Sequence, residues 1–275
     1  MNFLTNVKFT LIGLAALMIA PSIASADQFT LMDRVESGSG AEVTFGAIIL
    51  EDADGSVFLK NDYHLQLGLD DIGVYLFIPT AHLVGDVTNS TIGNLEAGIV
   101  GRTDLGNFKL NYRFGVSLPT APGLDGMGGM LNLYTNIYGA LADPANFSAA
   151  LPDYLTIRTS ASPEFELGPI FVRADLGTDI LIRTGDIPED SAEVMLRINA
   201  AAGVDLGGVQ LAVETANSFF LTQSGSEPLS AVGVTAALPL DNVTVFGGVS
   251  VPVSEGIDDE QSTTIIVNTG LRLNF

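Results

Sequence analysis

The sequence predicts an all-β protein, a closed antiparallel transmembrane β-barrel of about 12 strands that follows a cleaved signal peptide. Three observations lead to this prediction. An export signal opens the chain, segments of about ten residues alternate apolar and polar side chains, and the apolar faces of those segments carry no charge. Together they describe a sheet that turns one face to lipid and the other to a polar interior.

The first element is the signal peptide, predicted at residues 1–26. Lys8 precedes an apolar run over residues 9–20, and the Ala-Ser-Ala of residues 24–26 has the small-x-small pattern of a cleavage site. The apolar run is too short for a spanning helix, which needs roughly 20 residues. We therefore expect cleavage after residue 26 and a single barrel domain at 27–275.

Composition excludes several classes of protein. The chain has no cysteine, so lipid attachment through a cysteine, disulfides and thiolate metal sites are excluded. The 11 basic and 32 acidic residues give a formal charge of −21, which argues against a nucleic-acid partner. Past the signal peptide no run of about 18 apolar residues predicts a membrane-spanning helix. No cofactor and no metal site are predicted.

Period-two alternation marks the strands. It is clearest over residues 108–118, where Phe108, Leu110 and Tyr112 share one face while Lys109 and Arg113 lie on the other. The same pattern predicts strands near 41–51, 56–69, 72–79, 92–101, 107–118, 154–162, 169–182, 192–204, 209–217, 229–239, 243–253 and 262–275.

The connections between these strands alternate in length, as in outer-membrane barrels with short periplasmic turns and longer external loops. The longest connection, residues 119–153, is glycine-rich and then apolar and aromatic, so we expect an external loop that holds a short helix. Three placements stay open for this loop: inside the lumen, across the mouth, or outside.

The charged face of the strands predicts the lining of the lumen. This interior is mixed to basic in character, inside a rim of acidic loops. It is either sealed by ion pairs or a polar conduit for a small solute. The lumen-lining candidates are Lys60, Asp62, His64, Glu96, Lys109, Arg113, Arg158, Arg173, Asp175, Asp179, Glu193, Arg197, Glu214 and Arg272.

The last strand alternates and ends on Leu271, Leu273 and Phe275. This ending resembles the C-terminal signature of Gram-negative outer-membrane β-barrel proteins. The resemblance implies export to the cell outer membrane, contact with outer-membrane lipid, and these three residues as the signal that the barrel-assembly machinery recognises.

A second resemblance covers residues 104–114 and the Leu-Pro-Thr of residues 118–120. A Leu-Gly turn, a strand that ends in Tyr-Arg-Phe, and Leu-Pro-Thr at the start of a loop are similar to a family of outer-membrane transporters associated with phenol meta-pathway degradation. The resemblance implies passive uptake or efflux of small apolar or aromatic solutes.

Enzyme chemistry has few candidate residues in this chain. Only His64, predicted to point inward, and His82, predicted in a loop, are available as bases at neutral pH. Neither a Gly-x-Ser-x-Gly elbow nor a His-Glu-x-x-His motif occurs, so the sequence predicts no catalytic residue and no enzyme. The alternatives to a channel are a closed structural or adhesive barrel acting through its loops, and a membrane hydrolase dependent on His64.

Overall fold

The computed structural model describes residues 30–32, 38–50, 55–69, 71–123, 125–184, 192–222, 228–253 and 264–275. The predicted signal peptide at 1–26 lies outside these residues. Among the residues described, no helix is long and apolar enough to cross a membrane.

The described chain is mostly β-strand, with two helical segments between β6 and β7. These segments are helix α1 (Gly126–Ala140) and a 3-10 helix (Pro144–Ala150). The strands are β1 (Gly40–Leu50), β2 (Val57–Leu69), β3 (Ile72–Val84), β4 (Asn89–Ile92), β5 (Glu96–Leu105), β6 (Phe108–Ser117), β7 (Tyr154–Leu167), β8 (Ile170–Arg183), β9 (Ala192–Asp205), β10 (Gln210–Phe220), β11 (Leu229–Leu240), β12 (Val243–Pro252) and β13 (Thr264–Asn274).

The sheet closes on itself. Each strand pairs antiparallel with its neighbours, and β1 pairs with both β2 and β13, which joins the first strand to the last. The short β4 pairs with β3 alone and precedes β5 in the same position of the ring. The result is a closed 12-strand antiparallel barrel, and the predicted fold class is confirmed.

Two strands extend through prolines that lie at or just beyond their predicted ends. β3 continues through Pro79 to Val84, so the connection predicted at 80–91 shrinks to a turn at 85–88. Proline has no N–H to donate, but the Pro79 carbonyl still accepts a hydrogen bond from Gly93 N (2.9 Å) where β4 gives way to β5. β7 likewise continues through Pro163 to Leu167.

The two ends of the barrel differ. At one end, which we call the short-turn end, neighbouring strands join through the connections 70–71, 106–107, 168–169, 206–209 and 241–242. Gly106 and Gly168 have positive φ angles of 74° and 64° there, a conformation that favours glycine. The opposite end, the loop end, carries the longer connections, including residues 118–153.

Side chains alternate between the outside and the inside of the barrel. On β8, Val172 is 48% exposed whereas its neighbour Arg173 is 2% exposed. The exposed side chains of β8 are apolar, including Ile170, Leu176 and Ile180, while Asp175 and Asp179 are buried. This arrangement puts hydrocarbon outside and charge inside, as a barrel in lipid requires.

Candidate functional site: a plugged lumen

The structure places the predicted lumen-lining residues on the inner face of the barrel. All of them are buried except Glu193, which is half-buried and accepts a hydrogen bond from the Tyr154 hydroxyl (3.0 Å). The buried ones are Lys60, Asp62, His64, Glu96, Lys109, Arg113, Arg158, Arg173, Asp175, Asp179, Arg197, Glu214 and Arg272.

Many of these residues join in one network along the inner wall, which we call the charged belt. At its start, Glu96 Oε1 accepts hydrogen bonds from Arg113 Nη2 and from the Tyr75 hydroxyl, both at 2.5 Å. Glu96 Oε2 accepts a third from Ser117 Oγ at 3.0 Å. The belt comprises Tyr75, Glu96, Arg113, Arg158, Asp175, Asp179 and Arg197.

The belt continues across β7, β8 and β9. Arg158 lies between two carboxylates, with its Nε 3.6 Å from Glu96 and its Nη2 3.2 Å from Asp179. Asp179 also accepts a hydrogen bond from Arg197 Nε (3.0 Å). Because these charged groups are fully buried, each needs its partners to offset the cost of leaving water.

Three carboxylates that the sequence did not predict at the lumen pair with its two lysines. Lys109 Nζ lies 3.3 Å from Glu164 Oε1 and contacts Glu166 as well. Lys60 Nζ is 3.1 Å from Asp143 Oδ2. These contacts make the interior charge-paired rather than basic.

Most of the described part of the connection between β6 and β7 folds into the lumen, while Leu118, Met127 and Met130 stay exposed. This selects one of the three placements left open by the sequence. We call residues 118–153 the plug. On the belt side, Ser148 Oγ donates to Asp179 Oδ2 (2.5 Å) and accepts from Arg158 Nη2 (2.6 Å), while Asn146 contacts the same arginine. The plug thus supplies hydrogen-bond partners to the belt.

Other parts of the wall bind the plug through its main chain. Ser218 Oγ on β10 donates to the Pro144 carbonyl (3.1 Å), and Asn268 Nδ2 on β13 donates to the Ala142 carbonyl (3.0 Å). Between β4 and β5, Asn94 N donates to the Ala149 carbonyl (2.7 Å). The plug is therefore fixed to several sides of the ring.

Apolar packing also holds the plug. Phe147 lies in a cluster with Leu181 and Met195 and meets Phe220 edge-on, with ring centroids 6.2 Å apart. On the other side of the lumen, Tyr138 of α1 stacks on Phe58 of β2 with centroids 4.7 Å apart. The plug therefore spans the lumen between opposite walls.

Opposite the charged belt, strands β10–β12 present small side chains to the lumen. We call this surface the small-residue wall: Ala212, Ala216, Ala231, Gly233, Thr235, Ala237 and Gly248. A separate segment, Thr30–Met32, packs against it from within the lumen. Because these side chains are small, they leave space in the lumen, and Thr30–Met32, which is not part of the sheet, occupies it.

The two histidines lie on opposite faces of the sheet. His64 is buried in the lumen and stacks on Tyr75, with ring centroids 5.4 Å apart. His82 lies in β3, so its prediction in a loop is wrong, because β3 continues past Pro79. It faces outward near the loop end, where its Nε2 is 2.9 Å from Asn61 Nδ2 and its Nδ1 is 2.9 Å from Ser90 Oγ.

Among the described residues, no group of His, Asp and Glu side chains is arranged to hold a metal ion. The C-terminal residues Leu271 and Leu273 lie on β13 opposite Val43 and Ala41 of β1, and Phe275 N donates to the Ser39 carbonyl (3.3 Å).

Comparison with known proteins shows the fold. No family model and no curated protein matches the sequence significantly. Among solved structures, the COG4313 outer membrane channel from Pseudomonas putida F1 aligns with a TM-score of 0.61 and 13% identity, over 92% of this chain and 100% of the other. The fold is that of an outer-membrane β-barrel.

Two further barrels align less closely. The beta domain of the Bordetella autotransporter BrkA has a TM-score of 0.48 and 14% identity, over 87% of this chain and 100% of that chain. The KdgM porin has a TM-score of 0.48 and 7% identity, over 85% of this chain and 99% of that chain. At these identities the likenesses concern the fold, and the function has to be argued from the lumen itself.

Proposed function

We propose that this protein is an outer-membrane channel for passive movement of small solutes, closed in the present conformation by the plug. One observation carries the proposal: the side chains of the wall do not fill the lumen by themselves, and a long connection between two strands occupies the rest of it.

The width of the barrel supports this interpretation. A barrel of about eight strands has an interior that side chains alone can fill, and wider barrels enclose a cavity or channel. Here the barrel has 12 strands, and a helix and a 3-10 helix take up the additional space. A purely structural barrel could be built from fewer strands, and it would then need no additional chain to fill its lumen.

The attachment of the plug supports reversible closure. β6 and β7 pair directly from Phe108↔Phe165 to Ser117↔Thr156, and the plug leaves and rejoins the sheet at the loop end of that pair. Its displacement therefore breaks no strand pairing of the ring. The hydrogen bonds lost include those to Arg158, Asp179, Ser218, Asn268 and Asn94, the ion pair of Lys60 with Asp143, and the contacts of Asn89, Thr91 and Ile92 with α1.

The two sides of the lumen suggest the solute. The charged belt offers donors and acceptors, and the small-residue wall opposite offers an apolar surface. A small solute with one polar group and an apolar or aromatic body matches both sides. The resemblance to transporters associated with phenol meta-pathway degradation points to the same class, and passive flow allows uptake or efflux.

We further propose that the protein resides in the Gram-negative outer membrane after export, and that the barrel-assembly machinery recognises Leu271, Leu273 and Phe275. The outward apolar side chains of the strands support contact with outer-membrane lipid. Truncation after residue 270 should abolish membrane insertion in cells while leaving export intact, as followed by cell fractionation.

Removal of the plug tests the channel. We expect a variant in which a short Gly-Ser linker replaces residues 122–150 to conduct ions in planar bilayers many-fold better than the parent. The matched control replaces the exposed turn 85–88, which lies at the same end outside the lumen, and should leave conductance unchanged. A plug-free barrel that is folded, shown by heat-modifiable gel migration, but does not conduct would favour the closed structural or adhesive barrel.

The lining is tested in the plug-free barrel. Arg113→Ala and Arg173→Ala should each change the anion-to-cation selectivity of the current, because each removes a buried positive charge from the inner face. Unchanged selectivity and solute flux in both variants would show that these two residues do not line the conduction path.

A membrane hydrolase is the second candidate, and for it we consider His82 on the outer face in addition to His64. Asn61 Nδ2 donates to His82 Nε2, so His82 Nδ1 carries the ring proton and donates to Ser90 Oγ; His82 could serve as a base for Ser90 only with the Asn61 amide turned to present its oxygen. The prediction that the protein is not an enzyme stays a prediction. Labelling of Ser90 by a fluorophosphonate, lost in both Ser90→Ala and His82→Ala, would contradict it.

A further inference from the structure

The segment Thr30–Met32 lies inside the lumen, separate from the plug. Leu31 is fully buried against Ala216 and Ala231, and Met32 packs with Phe171 and Ala212. The segment therefore follows the small-residue wall from the middle of the barrel toward the short-turn end, where Ala212 lies near the start of β10.

A single carboxylate organises this contact. Glu214 Oε1 accepts hydrogen bonds from Thr30 N (3.2 Å) and Thr30 Oγ1 (3.4 Å), and Oε2 accepts one from Leu31 N (2.8 Å). Thr235 Oγ1 also contacts Oε1 and lies 2.7 Å from Thr30 Oγ1. Two consecutive main-chain N–H groups thus bind the two oxygens of one fully buried carboxylate.

The wall around Glu214 is recessed to fit the segment. A Cβ added to Gly233 would lie 3.0 Å from Leu31 Cδ1, and one added to Gly248 would lie 2.8 Å from Thr30 Oγ1. Glycine at both positions, with alanine at 216 and 231, leaves a depression that receives a branched apolar side chain beside a pair of N–H donors.

Emptying this recess is unfavourable in free energy. If the segment leaves, Glu214 keeps its hydrogen bond from Thr235 but loses three others inside the barrel, and a buried carboxylate with too few donors is strongly unfavourable. The site must then take water or a ligand. The recess offers two carboxylate oxygens as acceptors beside an apolar depression, and a short apolar peptide supplies the matching adjacent N–H donors and branched side chain.

We propose that the Glu214 recess is a ligand site for short apolar peptides, and that Thr30–Met32 occupies it as a built-in competitor that narrows the lumen. This inference rests on the proposed channel function and deepens it, because it adds a second closure independent of the plug. Peptides of this class compete with the segment for the recess.

The placement of the segment is tested first, by a measurement that needs no conductance. The chain has no cysteine, so Thr30→Cys combined with Thr235→Cys introduces the only two thiols. Because the two hydroxyls are 2.7 Å apart, we expect a disulfide within one chain under mild oxidation, read by mass spectrometry. We call this bond the 30–235 disulfide. The control pairs Thr30→Cys with Ala236→Cys, which faces outward and should not react.

The ligand site is tested in the plug-free barrel that carries Thr30→Cys and Thr235→Cys. Reduction of the 30–235 disulfide should raise conductance, and acetyl-Thr-Leu-Met-amide should then block the current in a saturable way. Glu214→Gln should weaken that block by about tenfold, because hydrogen bonds to a charged acceptor contribute more than those to a neutral one.

The outcomes separate the two proposals. Absence of the 30–235 disulfide in a folded barrel overturns the placement of the segment, and absence of tripeptide block in a conducting barrel overturns the ligand site. A plug-free barrel that never conducts, reduced or oxidised, overturns the channel itself even if the disulfide forms.

Discussion

The charged belt on β3 and β5–β9 and the small-residue wall on β10–β12 face the same lumen but obtain their hydrogen-bond partners in different ways. The belt is satisfied largely by its own members, as Arg158 and Arg197 both bind Asp179. The wall has small side chains and one carboxylate, Glu214, whose donors include Thr30 and Leu31 from outside the sheet. The belt forms a rigid side of the lumen, whereas the small-residue wall leaves space that Thr30–Met32 occupies.

The strongest test of this contrast is Arg158→Ala at the centre of the belt. The change leaves Asp179 and Glu96 buried with fewer partners, so we expect the free energy of unfolding to fall by about 3–5 kcal/mol. Urea unfolding in detergent micelles measures it. Arg102→Ala is the control, because Arg102 pairs with an Asp104 side chain that is 61% exposed, and a loss of about 0–1 kcal/mol is expected. Equal losses in the two variants would show that the belt is not held by mutual pairing.

A smaller effect is expected on the opposite wall. Ala216→Leu adds volume where Leu31 packs, so we expect a loss of about 1–3 kcal/mol or displacement of the segment. Displacement is measured as a reduced yield of the 30–235 disulfide. Ala236→Leu on the same part of the barrel faces outward and should change neither quantity. A stable variant with full disulfide yield would mean that the wall has free space beside Leu31.

The finest comparison uses two buried serines that both bind plug to wall. Ser148 bonds two charged groups of the belt, whereas Ser218 bonds one neutral carbonyl. Ser148→Ala should weaken plug attachment by about 1.5–3 kcal/mol and Ser218→Ala by about 0.5–1.5 kcal/mol. Single-channel recordings should therefore show more frequent opening in Ser148→Ala. The reverse order would place the main attachment of the plug on β10 and not on the charged belt.

Much of the barrel could be predicted from local sequence, because a strand in a membrane barrel alternates with period two and its lipid face excludes charge. The predicted strands at 107–118 and 169–182 match β6 and β8 within about two residues for this reason. The predicted strand ends are wrong near prolines. The predicted ends of β3 and β7 fall too early, which hid Glu164, Glu166 and the outward position of His82.

The filling of the lumen could not be predicted in the same way. Asn146 and Ser148 meet Arg158 and Asp179 only after the sheet has closed, and Thr30 lies 184 positions from Glu214. No local pattern records such contacts. A signal for two of the missed acids was present, since the serines and glutamates at 160, 162, 164 and 166 continue the polar alternation through Pro163.

The seam between β1 and β13 has a consequence for biogenesis. The other seams join strands that are neighbours in sequence, whereas this one joins residues such as Ala41 and Leu273, so its loop-closure entropy is the largest in the molecule. Ring closure should be the slow, late event. Until it occurs, β1 and β13 each expose a free edge that can capture a second chain, and a nascent barrel held open would aggregate edge to edge.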